Sequence, residues 1–309
     1  MQELLNRIRA VTDEDKALPV FSHTKLDTYK SCPMKYKFKY IEKKYTQDTT
    51  LALELGILLH YILEQKGKMI QDGSAVRYDK LQDLLMNGVA ETNADIRHPL
   101  AGISELKRKY PDEWYKPDNA GGMNYEQKLS VFDTVLRTEM DNSEWKPFLF
   151  EHEFQFVWDN RIIIKGYIDR VDRRGSEYRI VDYKTSKNVF DKRDLADSLQ
   201  TGIYALAILN EFGVLPAESM YRFILLDKEQ QSLSEGWTES LIKNLNDLLD
   251  SIDADSQKNA FAPKPVPLCY WCSYCKQNPE ATQYKNECEY YSRWTPDNKT
   301  GAVNKIWNA

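Results

Sequence analysis

The stretch GYIDRVDRRGSEYRIVDYKTSK, residues 166–187, has the pattern of a β-hairpin. Segments with strand character lie on both sides of Gly175-Ser176, a pair that suits a two-residue turn. Counting outward from that turn along both strands places Asp169 opposite Asp182. Directly opposed residues point to the same face of a sheet, with Cβ atoms about 4.5–5.5 Å apart. The hairpin therefore predicts two carboxylates that face each other.

Two like charges in this arrangement destabilise a sheet unless a cation lies between them. Strand periodicity places Lys184 on the same face, two residues beyond Asp182. Carboxylate oxygens suit Mg²⁺ or Mn²⁺, which keep several waters and accept phosphate oxygens. We therefore expect Asp169 and Asp182 to bind the ion, and Lys184 to orient a water or stabilise charge on a phosphate. The spacing alone is equally compatible with an exposed hairpin whose charges face solvent.

The whole chain sets limits on the class of protein. It has 309 residues and a net charge of -5, from 42 Lys and Arg against 47 Asp and Glu. Such a length gives one large domain or two small ones, and the overall charge does not indicate nucleic-acid binding, although local basic patches can still bind it. No run of 18 apolar residues occurs, and the amphipathic start differs from a signal peptide. We expect a soluble protein of the cytoplasm, without membrane contact.

The order of predicted elements is helices, a hairpin-rich sheet, a helix, a strand and a cysteine-rich tail. This order indicates a mixed α/β fold with a helical insertion. The predicted helices cover residues 3–10, 51–70, most of 78–145 apart from a break near 111–124, 194–212 and 238–253. Ser22 predicts the N-terminal cap of one more helix, which Pro33 interrupts or restarts. Gly213 predicts the end of the helix over 194–212.

Other residues carry a weaker signal. His60 lies among leucines and isoleucines, so by itself it indicates a histidine of the apolar core. Gln200 and Tyr204, four residues apart on one helical face, can meet the same target, yet they also suit an ordinary amphipathic helix. Glu153, on the strand before the hairpin, is a further acidic candidate.

The hairpin residues resemble a known family of nucleases. Asp169, a gap of twelve residues and then Asp182-Tyr183-Lys184 resemble the D-(D/E)xK core of the PD-(D/E)xK nuclease superfamily. The flanking sequences GYIDRVDR and IVDYKTSK are similar to its RecB-type branch. The resemblance implies a restriction-endonuclease-like fold, in which a mixed β-sheet is flanked by helices.

The resemblance extends to two helices. LGILLHYILE is similar to the helix on which the RecB-type branch carries a histidine, here His60, and DSLQTGIYALAI is similar to its Q-x-x-x-Y helix, here Gln200 and Tyr204. It implies that His60 is a metal ligand with Asp169 and Asp182, and that the other two contact DNA or the lysine. It also implies a single nuclease domain over residues 1–309. Its parts are N-terminal helices (20–70), a helical insertion (71–145), a catalytic core (146–255) and a cysteine-rich segment (256–309).

The five cysteines indicate metal rather than disulfides, because four of them crowd near the end of a chain expected in a reducing compartment. These are Cys269, Cys272, Cys275 and Cys288, whereas Cys32 lies near the start. A local zinc knot would use the four C-terminal thiols and leave Cys32 out. A [4Fe-4S] cluster also takes four thiolates, and spacing alone does not separate the two.

The cysteine pattern resembles the iron-sulfur subset of the branch, found in AddAB-type recombination machines, CRISPR-associated adaptation nucleases and related phage proteins. There, one cysteine precedes the core and three follow it. YKSCPMKYKFKY supplies Cys32, and CYWCSYC supplies Cys269 and Cys272. For the remaining ligand we favour Cys288, after an apparent insertion, over Cys275, which comes very soon after the pair. The resemblance implies a structural [4Fe-4S] cluster, with structural Zn²⁺ as the alternative.

Taken together, the sequence predicts a metal-dependent DNA nuclease, an exonuclease of recombination, repair or end processing, in a bacterial or phage-infected cell. Its substrate would be single-stranded or end-containing DNA, contacted by the basic aromatic segment 25–45 and by 106–110. The sequence has no phosphate-binding G-x-x-x-x-G-K-[ST], so unwinding would need a helicase or recombination protein as partner. The alternatives are a DNA-binding module without catalysis and a zinc-stabilised structural protein.

Overall fold

The structure of the protein is a computed structural model. It describes residues 2–46, 49–92, 98–118, 121–141, 144–192, 195, 198–233, 236–276, 278, 281, 283–288, 294–296 and 303–305. The chain divides into two compact units, the first comprising Met1–Phe21 and Thr50–Leu241 and the second Ser22–Thr49 and Ile242–Ala309. A single nuclease domain over the whole chain stays a prediction.

A seven-stranded mixed sheet forms the centre of the first unit in the described residues. Its strands are β1 (Ile8–Arg9), β2 (Val20–Phe21), β5 (Lys146–Trp158), β6 (Ile162–Arg174), β7 (Glu177–Lys184), β8 (Glu218–Phe223) and β9 (Lys228–Gln231). Their order in the sheet is β1-β5-β6-β7-β8-β9, with β2 paired to β6. The pairs β2-β6 and β7-β8 are parallel and the others are antiparallel. A two-stranded ribbon, β3 (Gly88–Val89) and β4 (Leu100–Ala101), lies in the helical insertion. The predicted mixed α/β fold is confirmed.

The hairpin of β6 and β7 has the predicted register. Gly175 has a φ of 60°, which a glycine adopts without strain, and the strands that it joins pair outward as far as Arg170 with Val181. The next opposed residues are Asp169 and Asp182. There the antiparallel ladder ends, and Oδ2 of Asp169 accepts a hydrogen bond from the Tyr183 backbone N–H at 2.7 Å.

Helices pack against this sheet and form the apolar core of the first unit. They are α1 (Gln2–Arg7), α4 (Leu51–Gln71), α5 (Tyr78–Asn87), α6 (Ile103–Lys109), α7 (Pro111–Tyr115), α8 (Tyr125–Thr138) and α9 (Leu199–Phe212). Thr50 caps α4 by accepting from the Leu53 N–H, and the buried face of α4 packs on α5, α6, α8 and the sheet residues Val181 and Tyr183. No helix in the described part of the chain is both long and apolar enough to cross a membrane.

Some predicted boundaries were wrong. The first helix ends at Arg7, because Ile8 and Arg9 join the sheet edge as β1. Helix α7 occupies part of the expected break, since Pro111 suits the first turn of a helix. The helix that Gly213 ends begins at Leu199, and residues 194, 196 and 197 of the earlier predicted start lie outside the described residues.

The second unit joins segments that are far apart in sequence. It contains α2 (His23–Ser31), α3 (Pro33–Tyr36), a π-helical turn (Lys37–Ile41), most of α10 (Trp237–Lys258), a 3₁₀ turn (Pro267–Trp271) and strands β10 (Trp294–Pro296) and β11 (Val303–Lys305). Ser22 caps α2 and Pro33 starts α3, as predicted. The Tyr29 hydroxyl donates to Asp255 at 2.7 Å, and the Tyr36 ring stacks on Phe261. Aromatic contacts therefore connect the early and late segments.

A network of buried charges lies on the face of β6 and β7 opposite to Asp169 and Asp182. Asp172 is fully buried and accepts two hydrogen bonds from Arg170, at 2.7 and 2.8 Å, and others from Arg179. Glu139, just after α8, accepts from Arg170 at 2.6 Å and from Arg222 at 2.8 Å. Each buried charge has an opposite partner, so this network needs no metal.

We expect Asp172→Ala to lower the free energy of unfolding by about 3–5 kcal/mol, because two buried guanidinium groups lose their carboxylate partner. Urea or thermal unfolding measures the loss. The control is Glu177→Ala, which removes an exposed partner of Arg174 and costs at most about 1 kcal/mol. Equal losses in both variants would contradict a structural role for Asp172.

Candidate functional site

Three carboxylates lie in a row across β5, β6 and β7. The pairs Phe150 with Arg170 and His152 with Ile168 put Glu151 opposite Asp169, and Asp169 is opposite Asp182 on the other side. Glu151 has a φ of 41°, an uncommon conformation for a residue with a side chain, and it interrupts the β5-β6 ladder at this point. The hairpin thus extends to a row of three acids on adjacent strands.

Helix α4 adds a histidine to this row. Ligand atoms of His60, Glu151 and Asp169 all lie within 4.8 Å of one another, and Nδ1 of His60 is 3.5 Å from Oδ2 of Asp169. The imidazole ring packs edge-on against Tyr183, which fixes its position on the sheet. One imidazole nitrogen and two carboxylates are a donor set that suits a divalent ion such as Mn²⁺ or Mg²⁺.

Asp182 belongs to a polar chain beside these residues. The Lys184 ammonium lies 2.6 Å from Oδ2 of Asp182 and donates to Oε1 of Gln200 at 2.8 Å. The Gln200 amide donates to Oδ1 of Asp182 and to the Tyr204 hydroxyl, both at 2.9 Å. Gln200 therefore holds the lysine and the acid in one geometry, and Tyr204 supports the amide from the next turn of α9.

Burial disfavours the ionised form of the three acids in the row. It raises the pKa of Asp169 and of Asp182 to about 6, although Lys184 opposes both shifts. Burial and the neighbouring Asp169 raise the pKa of Glu151 to about 8. The same burial lowers the pKa of His60, which keeps its ring neutral and its nitrogen lone pair available. A bound cation would favour the ionised acids, so the electrostatics fit a metal.

Lys184 differs from the acids because its surroundings favour its charged form. Burial alone would lower the pKa of Lys184, but the charge of Asp182 and its contact with the ammonium more than offset this, and the pKa is raised. The side chain therefore stays a cation at neutral pH. It cannot act as a general base, and its chemistry is charge stabilisation and positioning.

The structure brings together all six predicted catalytic residues, namely His60, Asp169, Asp182, Lys184, Gln200 and Tyr204. Glu153, the further acidic candidate, forms an ion pair with Lys165, whereas Glu151 on the same strand lies close to His60 and Asp169. In segment 106–110, Lys107 pairs with Glu126 and Lys109 with Glu54, which leaves it less positive charge for DNA.

Register explains why the sequence did not reveal Glu151. The turn between β5 and β6 has three residues, 159–161, so that Trp158 pairs with Ile162. A two-residue turn at Asp159-Asn160 would shift every pair by one and put Phe150 opposite Asp169. The only signal available was a pair of glutamates, 151 and 153, on a strand next to the hairpin.

The cysteines surround a separate small cavity in the second unit. This cavity, of about 110 Å³, is lined by all five of them, Cys32, Cys269, Cys272, Cys275 and Cys288, together with residues such as Lys35 and Lys264. None of the five, all of which the structure describes, is in a disulfide. The predicted upstream and downstream ligands are thus brought together, and Cys275 and Cys288 both reach the cavity.

A mixed sheet that presents an aspartate, a second acid and a lysine on adjacent strands is the site of a nuclease fold. The model of the PD-(D/E)XK nuclease superfamily matches residues 20–277, and the chain belongs to this family. The predicted superfamily is confirmed, and with it a nuclease as the class of enzyme.

Three relatives illustrate the range of similar proteins. The chain is 21% identical to the Gene 69 protein of Mycobacterium phage L5 over 300 residues, covering 89% of this chain and all of the phage protein. It is 23% identical to the Gene 69 protein of Mycobacterium phage D29, covering 82% and 94% of the two chains. It is also 24% identical to an ATP-dependent helicase/deoxyribonuclease subunit of Clostridium tetani, covering 62% of this chain and 18% of the clostridial protein.

We expect Glu151→Gln to stabilise the protein in EDTA, and to do so increasingly as the pH rises from about 4.5 to about 8. In this window the unfolded chain carries an ionised glutamate, with an ordinary pKa of 4.5, whereas the folded protein retains the proton up to a pKa of about 8. Wild-type stability therefore falls with pH because of this group, and glutamine removes that fall. Melting temperatures at pH 5 and pH 8 measure the difference.

The matched control for this prediction is Glu153→Gln, two residues along the same strand and exposed. Its melting temperature should differ from that of the wild type by the same amount at both pH values. Added Mn²⁺ at pH 8 should then stabilise the wild type more than Glu151→Gln, because only the wild type offers this carboxylate. Parallel pH curves for wild type and Glu151→Gln would show that Glu151 is ionised normally.

Proposed function

We propose that the protein is a DNA nuclease that hydrolyses phosphodiester bonds with Mg²⁺ or Mn²⁺, and that it acts as an exonuclease in end processing during recombination or repair. The observation that carries this proposal is the group of His60, Glu151 and Asp169 beside the Asp182-Lys184 pair. Family membership supports a phosphodiester as the bond that is cut.

Each residue has a distinct role in this proposal. His60, Glu151 and Asp169, together with an oxygen of Asp182, would hold the ion, which would polarise the phosphodiester and make water a better nucleophile. The Lys184 ammonium faces the phosphate and stabilises the negative charge that grows on its oxygens as water attacks. Gln200 and Tyr204 are positioning residues, because they fix Lys184 against Asp182.

We also propose that Cys32, Cys269, Cys272 and Cys288 hold a structural [4Fe-4S] cluster. A zinc ion with Zn–S bonds of about 2.3 Å draws its thiolates to within about 3.8 Å of one another. Among the described residues, however, only His60, Glu151 and Asp169 form a metal-ligand group within 4.8 Å, so no three cysteine sulfurs are that close. In a four-iron cluster each thiolate binds a separate iron, and wider spacing is expected.

Two further features of the cysteine cavity support a cluster of net negative charge. The Val266 backbone N–H donates to Sγ of Cys269 at 3.4 Å, a hydrogen bond that stabilises a thiolate. Lys35 and Lys264 line the same cavity and bring positive charge to it. The choice of Cys288 over Cys275 remains part of the proposal, since both line the cavity.

DNA contact is proposed for the basic aromatic segment 25–45 of the second unit. Lys25 and Lys39 both lie against the ring of Tyr40, at 5.8 and 5.4 Å from its centre, and Tyr45 is exposed. Cations and aromatic rings in one place suit single-stranded nucleic acid. The Clostridium tetani relative carries helicase and deoxyribonuclease in its name, which supports a helicase or recombination protein as partner.

We expect Asp182→Asn and Lys184→Met each to reduce Mn²⁺-dependent cleavage of labelled DNA at least about 100-fold, because each removes charge from the reacting centre. Both substitutions keep the size of the side chain, so the fold should survive, as thermal melting checks. The control is Lys165→Met, which removes an exposed lysine paired with Glu153 on the same sheet and should leave the rate within about twofold. Unchanged cleavage in the first two variants, or none in the wild type, would reject the proposed nuclease.

We expect anaerobically purified protein to be brown and to contain about four irons per chain. Cys32→Ser and Cys288→Ser should lose iron and colour, whereas Cys275→Ser should retain them. Metal analysis and the absorption spectrum provide the measurement. Stoichiometric zinc without iron would overturn the cluster, and iron lost from Cys275→Ser but not from Cys288→Ser would exchange the two cysteines.

A further inference from the structure

The metal-ligand group opens onto a large cavity whose walls are partly apolar. The cavity has a volume of about 760 Å³ and includes His60, Glu151 and Asp169 among its lining residues. Residues 52–64 of α4 form much of the wall. The lining residues there are Ala52, Leu53, Gly56, Ile57, His60, Tyr61 and Glu64. Helical spacing arranges them in two adjacent lines, one with Leu53, Ile57 and Tyr61 and the other with Ala52, Gly56, His60 and Glu64.

Large apolar side chains are exposed on this wall. Leu53 and Ile57, one turn apart on α4, are 52% and 48% exposed. On the adjacent line Ala52 and Gly56 are small, so the space between Leu53, Ile57 and the metal ligands stays open. A side chain at Gly56 would lie 3.2 Å from Oγ1 of Thr185, one residue after Lys184, which shows how closely α4 approaches the catalytic strand.

The charges of the cavity decide what it can accept. Its acidic lining residues are Glu64, Glu151 and Asp169, and no lysine or arginine appears among the described residues that line it. Glu151 and Asp169 belong to the metal-ligand group, and Glu64 pairs with Lys68 at 2.7 Å. The rest of the cavity therefore offers a phosphate no cation from its lining, and its apolar side chains favour a neutral, flat, apolar group.

We propose that Leu53 and Ile57 contact the nucleobase next to the phosphate that is cut, and that this contact makes the enzyme prefer an unpaired strand. The inference rests on the proposed nuclease function and adds a specificity to it. The cavity volume lies within the range of about 300–1,000 Å³ typical of small-molecule pockets. Leucine and isoleucine beside DNA act elsewhere as wedges that separate stacked bases.

Pairing is the reason that the contact selects single strands. A base inside a duplex is stacked on both sides and hydrogen-bonded to its partner, so it reaches the cavity only after unstacking and unpairing, at a cost of a few kcal/mol. An unpaired base enters without that cost. Leu53 and Ile57 then cover one of its faces while its phosphate lies at the metal.

The test uses the full-length protein, Mn²⁺ and end-labelled oligonucleotides with one abasic nucleotide at a known position. Wild type should cut the phosphate next to the abasic nucleotide about tenfold more slowly than the same phosphate in an intact strand. The Leu53→Ala/Ile57→Ala variant should cut the intact strand at that slower rate and should show no further effect of the abasic nucleotide. It should also lose wild type's preference for single-stranded over double-stranded DNA.

Leu5→Ala, which shortens a leucine of 41% exposure on α1, is the matched control and should behave as wild type. If wild type cuts intact and abasic strands equally, or if the double variant still distinguishes them, the base contact is wrong while the nuclease stands. If wild type cuts no DNA with Mn²⁺, the proposed function fails and the base contact with it. A well-folded double variant with wild-type rates would instead indicate that the apolar wall serves another partner.

Discussion

Repulsion between carboxylates is the constraint on which the site depends. Glu151, Asp169 and Asp182 lie side by side on three strands, in a place where burial raises the pKa of each. A protein that needed only a stable sheet would place apolar or paired residues there. A neutral imidazole lies on one side of this row and an ammonium on the other. This arrangement suits a bound cation that offsets the repulsion between the three acids.

The opposite face of the same strands shows the contrast. Asp172, three residues after Asp169, is also buried, yet Arg170 and Arg179 satisfy its oxygens with hydrogen bonds. One strand thus carries an acid whose charge is balanced within the protein and an acid whose charge is balanced only in part. Asp172 stabilises the fold, whereas Asp169 is available to bind a cation.

Much of this arrangement could be predicted from sequence, because it depends on local rules. The glycine turn fixed the register of Asp169 and Asp182, and α4 and α9 were visible as helices that carry His60 and Gln200. Glu151 could not be found, since one extra residue in the preceding turn decides which side chain of β5 faces Asp169. The hydrogen bonds that unite Lys184, Gln200 and Tyr204 also required coordinates, because they depend on how a distant helix packs on the sheet.

The composition of the second unit has a consequence for biosynthesis. In the sequence, its parts Ser22–Thr49 and Ile242–Ala309 come before and after residues 50–241, which are most of the first unit. At a translation speed of about 5–20 residues per second, Cys32 leaves the ribosome roughly 10–50 s before Cys269 is made. During this interval an early helix with exposed aromatic rings and an unprotected thiol waits for its partners, so chaperones and a reducing environment should govern the yield of correctly assembled protein.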